Sequence, residues 1–235
     1  MNYTSYIAQI ANLMAADPTT PEFQLMVQGM IPYAENRIYR ELDLLNTVVA
    51  NSTGSLVAGN RSFALPTNVG SSVFYTVTGV NVITPAGSSA DAGTRNQLAA
   101  VTMDFLNAVW NSNATLALPT VFAMTNQFNI IVGPWPDQNY TVEIVGTVQP
   151  APLSTTNPTT FLTTYLADLF TAASMVFASG YMRDFGAQTD NPAQAQSWES
   201  QYGALLKSAL LLELRKKWAG PNWTPYSSIP ISPTR

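Results

Sequence analysis

The side chains that could do chemistry are few and fall in three places. Glu35, Arg37, Arg40 and Glu41 lie close together, Glu143 stands in a run of β-branched residues, and Asp168 sits among Leu166, Leu169 and Phe170. Two carboxylates can cleave a glycosidic bond with no other residue type, one as acid and one as base or nucleophile. A muramidase-like hydrolysis through Glu35 or Glu143 is therefore not excluded by chemistry. The chain has no His and no Cys. That removes the commonest general base near neutral pH, the Ser-His-Asp arrangement, thiolate nucleophiles, disulfides and nearly all zinc sites. A phosphate-binding glycine loop followed by Lys and a calcium loop of alternating acids are both missing. No catalytic residue, metal ligand or cofactor is assigned, and the chain reads as a non-enzyme.

Each charged group also has a plainer role. Arg37 and Glu41 are four apart and can pair across one helical turn. Glu143 falls on the strand face opposite Tyr140, which predicts simple exposure. Asp168 among apolar neighbours needs a partner, and Arg37, Arg40 and Arg183 are the candidates. Trp135, between two prolines, suits turn packing, sugar stacking or partner contact. Arg215, Lys216 and Lys217 either complement a helix C-terminus or touch a partner or passing DNA.

The elements that must position these groups follow from the apolar rhythm. Ile7, Ile10 and Met14 predict a first helix, ended by Asp17-Pro18 and Pro21. Phe23, Val27, Met30, Ala34, Ile38, Leu42 and Leu45 predict a long second one, with Pro32 expected to kink or restart it. β-branched runs then alternate with turn formers at Gly54-Ser55 and Gly59-Asn60, and strands are predicted near 62–66, 73–83, 128–132 and 140–148. Tyr140, Val142, Ile144 and Val148 share one face. A polar loop is expected over 85–93 and a short helix over 101–109, with Asp104 and Asn107 outward. After Pro150, Pro152 and Pro158, a third helix runs from Thr160 to Gly186, and a fourth starts at Asn191-Pro192 and ends before Gly220-Pro221. In the fourth, Trp198, Tyr202, Leu205, Leu206, Ala209, Leu210, Leu212 and Leu214 cover more than one face, so it needs packing on more than one side. The expected fold is α+β: a four-helix framework over 1–46 and 158–220, an inserted antiparallel β domain over 47–157, and an extended arm over 221–235. The arm is too rich in proline for a helix, yet its Trp223, Tyr226, Ile229 and Ile231 suit docking along another protein.

Composition narrows the partners. Of the 235 residues 46% are hydrophobic and only 10% charged, enough for a substantial core and for burial in an assembly at little ionic cost. The net charge of −4, with no basic block outside the last helix, argues against tight binding to nucleic-acid phosphates. The N-terminus lacks a basic stretch before an apolar run, and the longest apolar stretch, 161–182, contains Asp168. Neither a signal peptide nor a membrane span is expected.

The order of these segments resembles a known family. A helical start carrying Ile31-Pro32-Tyr33-Ala34-Glu35-Asn36-Arg37-Ile38-Tyr39-Arg40-Glu41-Leu42 comes first, then Leu65-Pro66 at the opening of a strand region. Gly133-Pro134-Trp135-Pro136-Asp137 followed by Tyr140, then Pro152-Leu153-Ser154, precede the helical block opened by Phe161-Leu162-Thr163-Thr164-Tyr165-Leu166-Ala167-Asp168-Leu169. In this order they resemble the head-to-tail adaptor (neck) proteins of tailed bacteriophages, over nearly the whole chain. The resemblance implies a structural virion protein made in the host cytoplasm. It implies a dodecameric ring of this chain beneath the capsid portal, bridging it to a tail or nozzle protein and lining a channel through which genomic DNA passes without specific binding. The helical domain would face its neighbours and the channel, the β domain would face tail components or fibres, and the C-terminal arm would grip the portal protein. Leu206, Leu210, Leu214, Arg37 and Arg40 are the subunit-interface candidates. The alternative is a virion-associated module whose β domain binds a tail fibre or receptor. No membrane partner is expected.

Overall fold

The structure, a computed structural model, describes residues 1–66, 73–184 and 192–218. The expected arm over 221–235, with Trp223, Tyr226, Ile229 and Ile231, lies outside the described residues, as do Gly186, Asn191 and Gly220. In chain order the elements are α1 (Tyr3–Met14), α2 (Pro21–Glu41), a 3-10 turn (Leu45–Thr47), β1 (Val48–Leu56), β2 (Ser62–Ala64), β3 (Val73–Thr84), β4 (Thr94–Gln97) and β5 (Ala99–Ala100). They continue with α3 (Met103–Val109), β6 (Val121–Asn126), β7 (Asn129–Gly133), β8 (Tyr140–Gln149), α4 (Phe161–Tyr165), α5 (Ala167–Asp184) and α6 (Pro192–Trp218). The fold is α+β, and it divides into two compact units: Met1–Leu45 with the chain from Pro152 onward, and Asn46–Ala151.

In the helical unit, α1 starts where Asn2 and Ser5 cap each other: the Ser5 N–H donates to Asn2 Oδ1 at 2.8 Å and the Asn2 N–H to Ser5 Oγ at 2.9 Å. It ends at Ala15, whose φ of 51° is left-handed. Pro21 opens α2, where its missing N–H costs nothing. Pro32 neither stops nor restarts this helix, which runs unbroken to Glu41. Its buried side chains, Phe23, Met26, Val27, Met30, Ile31, Ala34 and Ile38, repeat every three or four residues. Gly29 lets α5 come close, since a Cβ there would stand 3.1 Å from the Phe177 ring.

The third helix is not one piece. It breaks at Leu166, whose φ and ψ are −129° and 38°. The Thr163 and Thr164 hydroxyls both donate back to the Thr160 carbonyl, at 3.0 and 2.9 Å, and so tie α4 to its own start. The break keeps Leu162, Leu166, Leu169 and Phe170 all in the core shared with α1, α2 and α6, where Tyr6 stacks on Phe170 at 4.8 Å. Residues 152–157 pack with this unit rather than with the strands, because Leu153 is buried in the same core.

The second unit is two four-stranded sheets, ordered β1-β8-β3-β4 and β2-β7-β6-β5. All pairings are antiparallel except the short β5–β6 pair. Leu56, Phe63, Phe74, Val80, Val82, Phe122, Ile130, Val132 and the β8 residues Tyr140, Val142, Ile144 and Val148 form its core. Gly146 is required in β8, since a Cβ would lie 2.2 Å from the Thr76 carbonyl oxygen. Gly54-Ser55 is no turn: β1 passes through it with a register shift between Asn51 and Gly54. Strand β6 goes unmarked in the sequence, because Val121-Phe122-Ala123-Met124-Thr125-Asn126 alternates too little to announce it. The 85–93 loop is knitted by bonds from Ser88 N–H to Pro85 O and from Gly93 N–H to Ser89 O. Thr141 donates to Ser88 O at 2.7 Å, which fastens the loop to β8.

Candidate interaction site

Arg37 is the joint between α2 and α6. Its guanidinium meets Glu199 with two bonds, of 2.8 and 2.5 Å, and lies 4.0 Å from the centre of the Tyr202 ring. The Tyr202 hydroxyl donates to Glu41 at 2.6 Å, and Arg37 reaches the same Glu41 at 3.4 Å. The bond to Glu199 holds the Arg37 proton more tightly and pulls the Glu199 carboxyl below its usual range. Burial first, and then Glu41, raises the Tyr202 hydroxyl. The Arg37–Glu41 pair read from the sequence exists, but it is the edge of a network whose main partner, Glu199, lies 162 positions away.

Glu35, two residues earlier, points into the core. It is 4% exposed, and its Oε1 accepts the Leu153 N–H at 2.9 Å. Burial pushes its pKa up to about 7, against the opposing effect of that bond. Tyr39, whose buried hydroxyl has no partner among the described residues, is raised by burial and by Glu35. Glu35 thus fastens the returning chain at Leu153 to α2.

Glu143 is a correction. It is 6% exposed rather than open, held by Arg95 at 2.8 and 3.0 Å and by the Asn81 amide at 2.9 Å. Arg95, followed by Asn81, keeps its carboxyl below the usual range in spite of burial. Glu35 and Glu143 belong to different units, and each is taken up by its own. Asp168 is exposed in the first turn of α5, where Oδ1 accepts the Leu169 N–H at 2.8 Å; its partner is backbone, and no pair with Arg37 or Arg40 forms. The Arg183 side chain is outside those described. Trp135 packs a turn: Nε1 reaches the Trp110 carbonyl at 3.4 Å, with Arg61 5.1 Å from its ring. Arg61 also bonds Asn107 at 2.7 Å, so Asn107 is engaged while Asp104 stays outward. Lys216 bonds Glu213 at 2.5 Å and Lys217 pairs with Asp43, while Arg215 is exposed. Among the described residues no cluster could hold a metal ion, and no helix is long and apolar enough to cross a membrane.

The unusual surface is on α6. Tyr202, Ala209 and Glu213 are buried on one side, and Glu213, 2% exposed, accepts the Leu45 N–H at 3.1 Å. At the helical repeat, Leu210, Leu214 and Leu211 sweep roughly 100° of arc on a flank turned away from that side. They are 44%, 43% and 57% exposed, and Leu212 is open on the other flank. Of the interface candidates, Leu206 is half-buried against the helical core, and Leu210 and Leu214 are the more exposed ones. Arg40 is exposed and its Nε donates to the Asn36 carbonyl at 3.1 Å, whereas Arg37 is consumed inside the subunit. Sequence reading missed Leu211, Glu199 and Glu213. The spacing of Tyr202, Ala209 and Glu213 is the signal that could have found the inward ladder and, by subtraction, the outward leucines.

A family model described as SU10 adaptor protein matches residues 1–224 of the chain. No curated protein matches.

Proposed function

The chain belongs to the SU10 adaptor protein family, head-to-tail adaptors of tailed phages and structural components of the virion neck, and on that premise we propose that it works as one subunit of a closed ring between the portal and the tail. The observation that carries this reading is the exposed leucine flank of α6, formed by Leu210, Leu211 and Leu214. Three large apolar side chains on one flank call for a protein surface. A flank that meets a different surface on an identical neighbour, repeated by rotation, closes a ring. The ring number that the resemblance implies is twelve. Lateral packing then runs through Leu210, Leu211 and Leu214, with Arg40 at the rim and Arg37 stiffening the α2–α6 pair from within.

The remaining roles follow the same reading. The arm over 221–235 grips the portal through Trp223, Tyr226, Ile229 and Ile231. DNA slides through a ring whose subunits carry a net charge of −4, which leaves phosphates little to hold. The β unit meets the tail or its fibres, which the exposed Phe105 and Val109 of α3 favour. The protein is an assembly part and performs no catalysis.

Sedimentation of the purified chain, alone and with portal rings, tests the proposal. The expected result is a stoichiometric ring on the portal. A chain that ignores the portal at micromolar concentration overturns it.

A further inference from the structure

A groove of about 600 Å³ runs along the helical unit, walled by α1, α2 and residues 152–155. Its walls include Tyr3, Ile7, Phe23, Val27 and Leu153, and among the described residues no charged side chain lines it. The volume is that of a site for a ligand or peptide anchor. Gln28 and Pro32 also line it. The wall is neutral and largely apolar, which suits a segment of spaced apolar side chains.

We propose that in the unassembled subunit this groove is filled by the chain's own C-terminal arm, the segment from Trp223 to Ile231. Three observations choose that occupant. The first is charge: between 219 and 234 the sequence has no charged side chain, so neutral peptide meets neutral wall with no ion to desolvate. The second is pattern: Trp223, Tyr226, Ile229 and Ile231 are apolar side chains spaced along a proline-rich stretch that cannot build a core of its own. The third is reach. Lys217 pairs with Asp43 and Glu213 accepts the Leu45 N–H, so α6 ends beside the C-terminal end of α2. From there the groove begins about 15 Å back along α2 at the helical rise, and an extended stretch over 219–235 spans roughly 55 Å. Of this, the five steps from Trp218 to Trp223 span about 17 Å, enough to bring Trp223 to the near end of the groove, and the rest is long enough to lie along it. Being tethered, the arm meets the groove at a high effective concentration.

This goes beyond the ring reading. The arm's apolar side chains are covered while the subunit is free, and gripping a portal requires them to leave the groove.

Deuterium exchange tests it without any portal, so its failure and that of the ring reading are separable. Amides over 3–8 and 23–31 are compared in the full chain and in a chain ending at Trp218. The full chain is expected to be more protected there, at a level independent of protein concentration. A synthetic peptide of residues 219–235 should restore protection to the shortened chain. Ala8→Glu, an exposed groove position, should remove the protection from the full chain while leaving its melting temperature unchanged. Equal exchange in the two chains overturns the proposal, and so does protection that rises with concentration, which would mean that another copy's arm is the occupant. If Ala8→Glu itself lowers the melting temperature, the peptide arm decides: no protection by the peptide overturns the proposal.

Discussion

Helices α2 and α6 are both long and both rich in apolar residues, yet they are treated differently. Helix α2 buries Phe23, Met26, Val27, Met30, Ile31, Ala34 and Ile38 and leaves only Leu25 open among its large aliphatic side chains, whereas α6 buries Tyr202 and Ala209 and leaves Leu210, Leu211, Leu212 and Leu214 open. One helix is nearly finished by its own chain, and the other is half finished. The difference points to the assembly surface, because a cluster of leucines left this exposed calls for a covering surface.

The largest effect that sharpens this contrast is expected on α2. Ile38 is fully buried, and Ile38→Ala should cost roughly 4 kcal/mol of folding stability by chemical denaturation, from lost transfer energy and a residual cavity. Next comes Glu35. In the fold it holds its proton up to about pH 7 because of burial, while in the unfolded chain it loses it near 4.5. Between those values the unfolded chain releases a proton that the fold keeps, so stability is highest below about 4.5, falls as pH rises, and is lowest above about 7. Glu35→Gln keeps an acceptor for the Leu153 N–H and removes that slope. At pH 8 it should stabilise by about 3 kcal/mol, with little change at pH 4, as read from denaturation midpoints. Arg37→Ala comes third at about 2 kcal/mol, because it frees α6 from α2 but leaves Glu199 half exposed, where water screens it. The smallest effect is on the open flank: Leu211→Ala should change subunit stability by less than about 0.5 kcal/mol. If Leu211→Ala proved as costly as Ile38→Ala, the flank would be core and the contrast would fail.

Much of this was legible in the residues because periodicity reports burial. The four long helical segments, the inward face of β8 and the α+β class all follow from spacings of three or four and of two. What was not legible depends on partners far apart in sequence. Glu143 reads as exposed until Asn81 arrives from β3 and Arg95 from β4, and Arg37 reads as an i,i+4 partner of Glu41 until Glu199 arrives from α6. The break at Leu166 was hidden because Leu162, Leu166 and Leu169 keep a helical rhythm across it. Apolar content showed that α6 needed two coverings, but only the packing separates Leu206, which lies against the helical core, from the more exposed Leu210 and Leu214.

The most direct test of the assembly role is sedimentation velocity of the full chain on portal rings, wild type beside Leu210→Ser/Leu214→Ser. The double variant is expected to melt within a degree or two of wild type yet no longer close a ring, leaving portals with fewer bound subunits or none. A variant that folds and forms the same complete ring would show that the leucine flank is not the subunit contact.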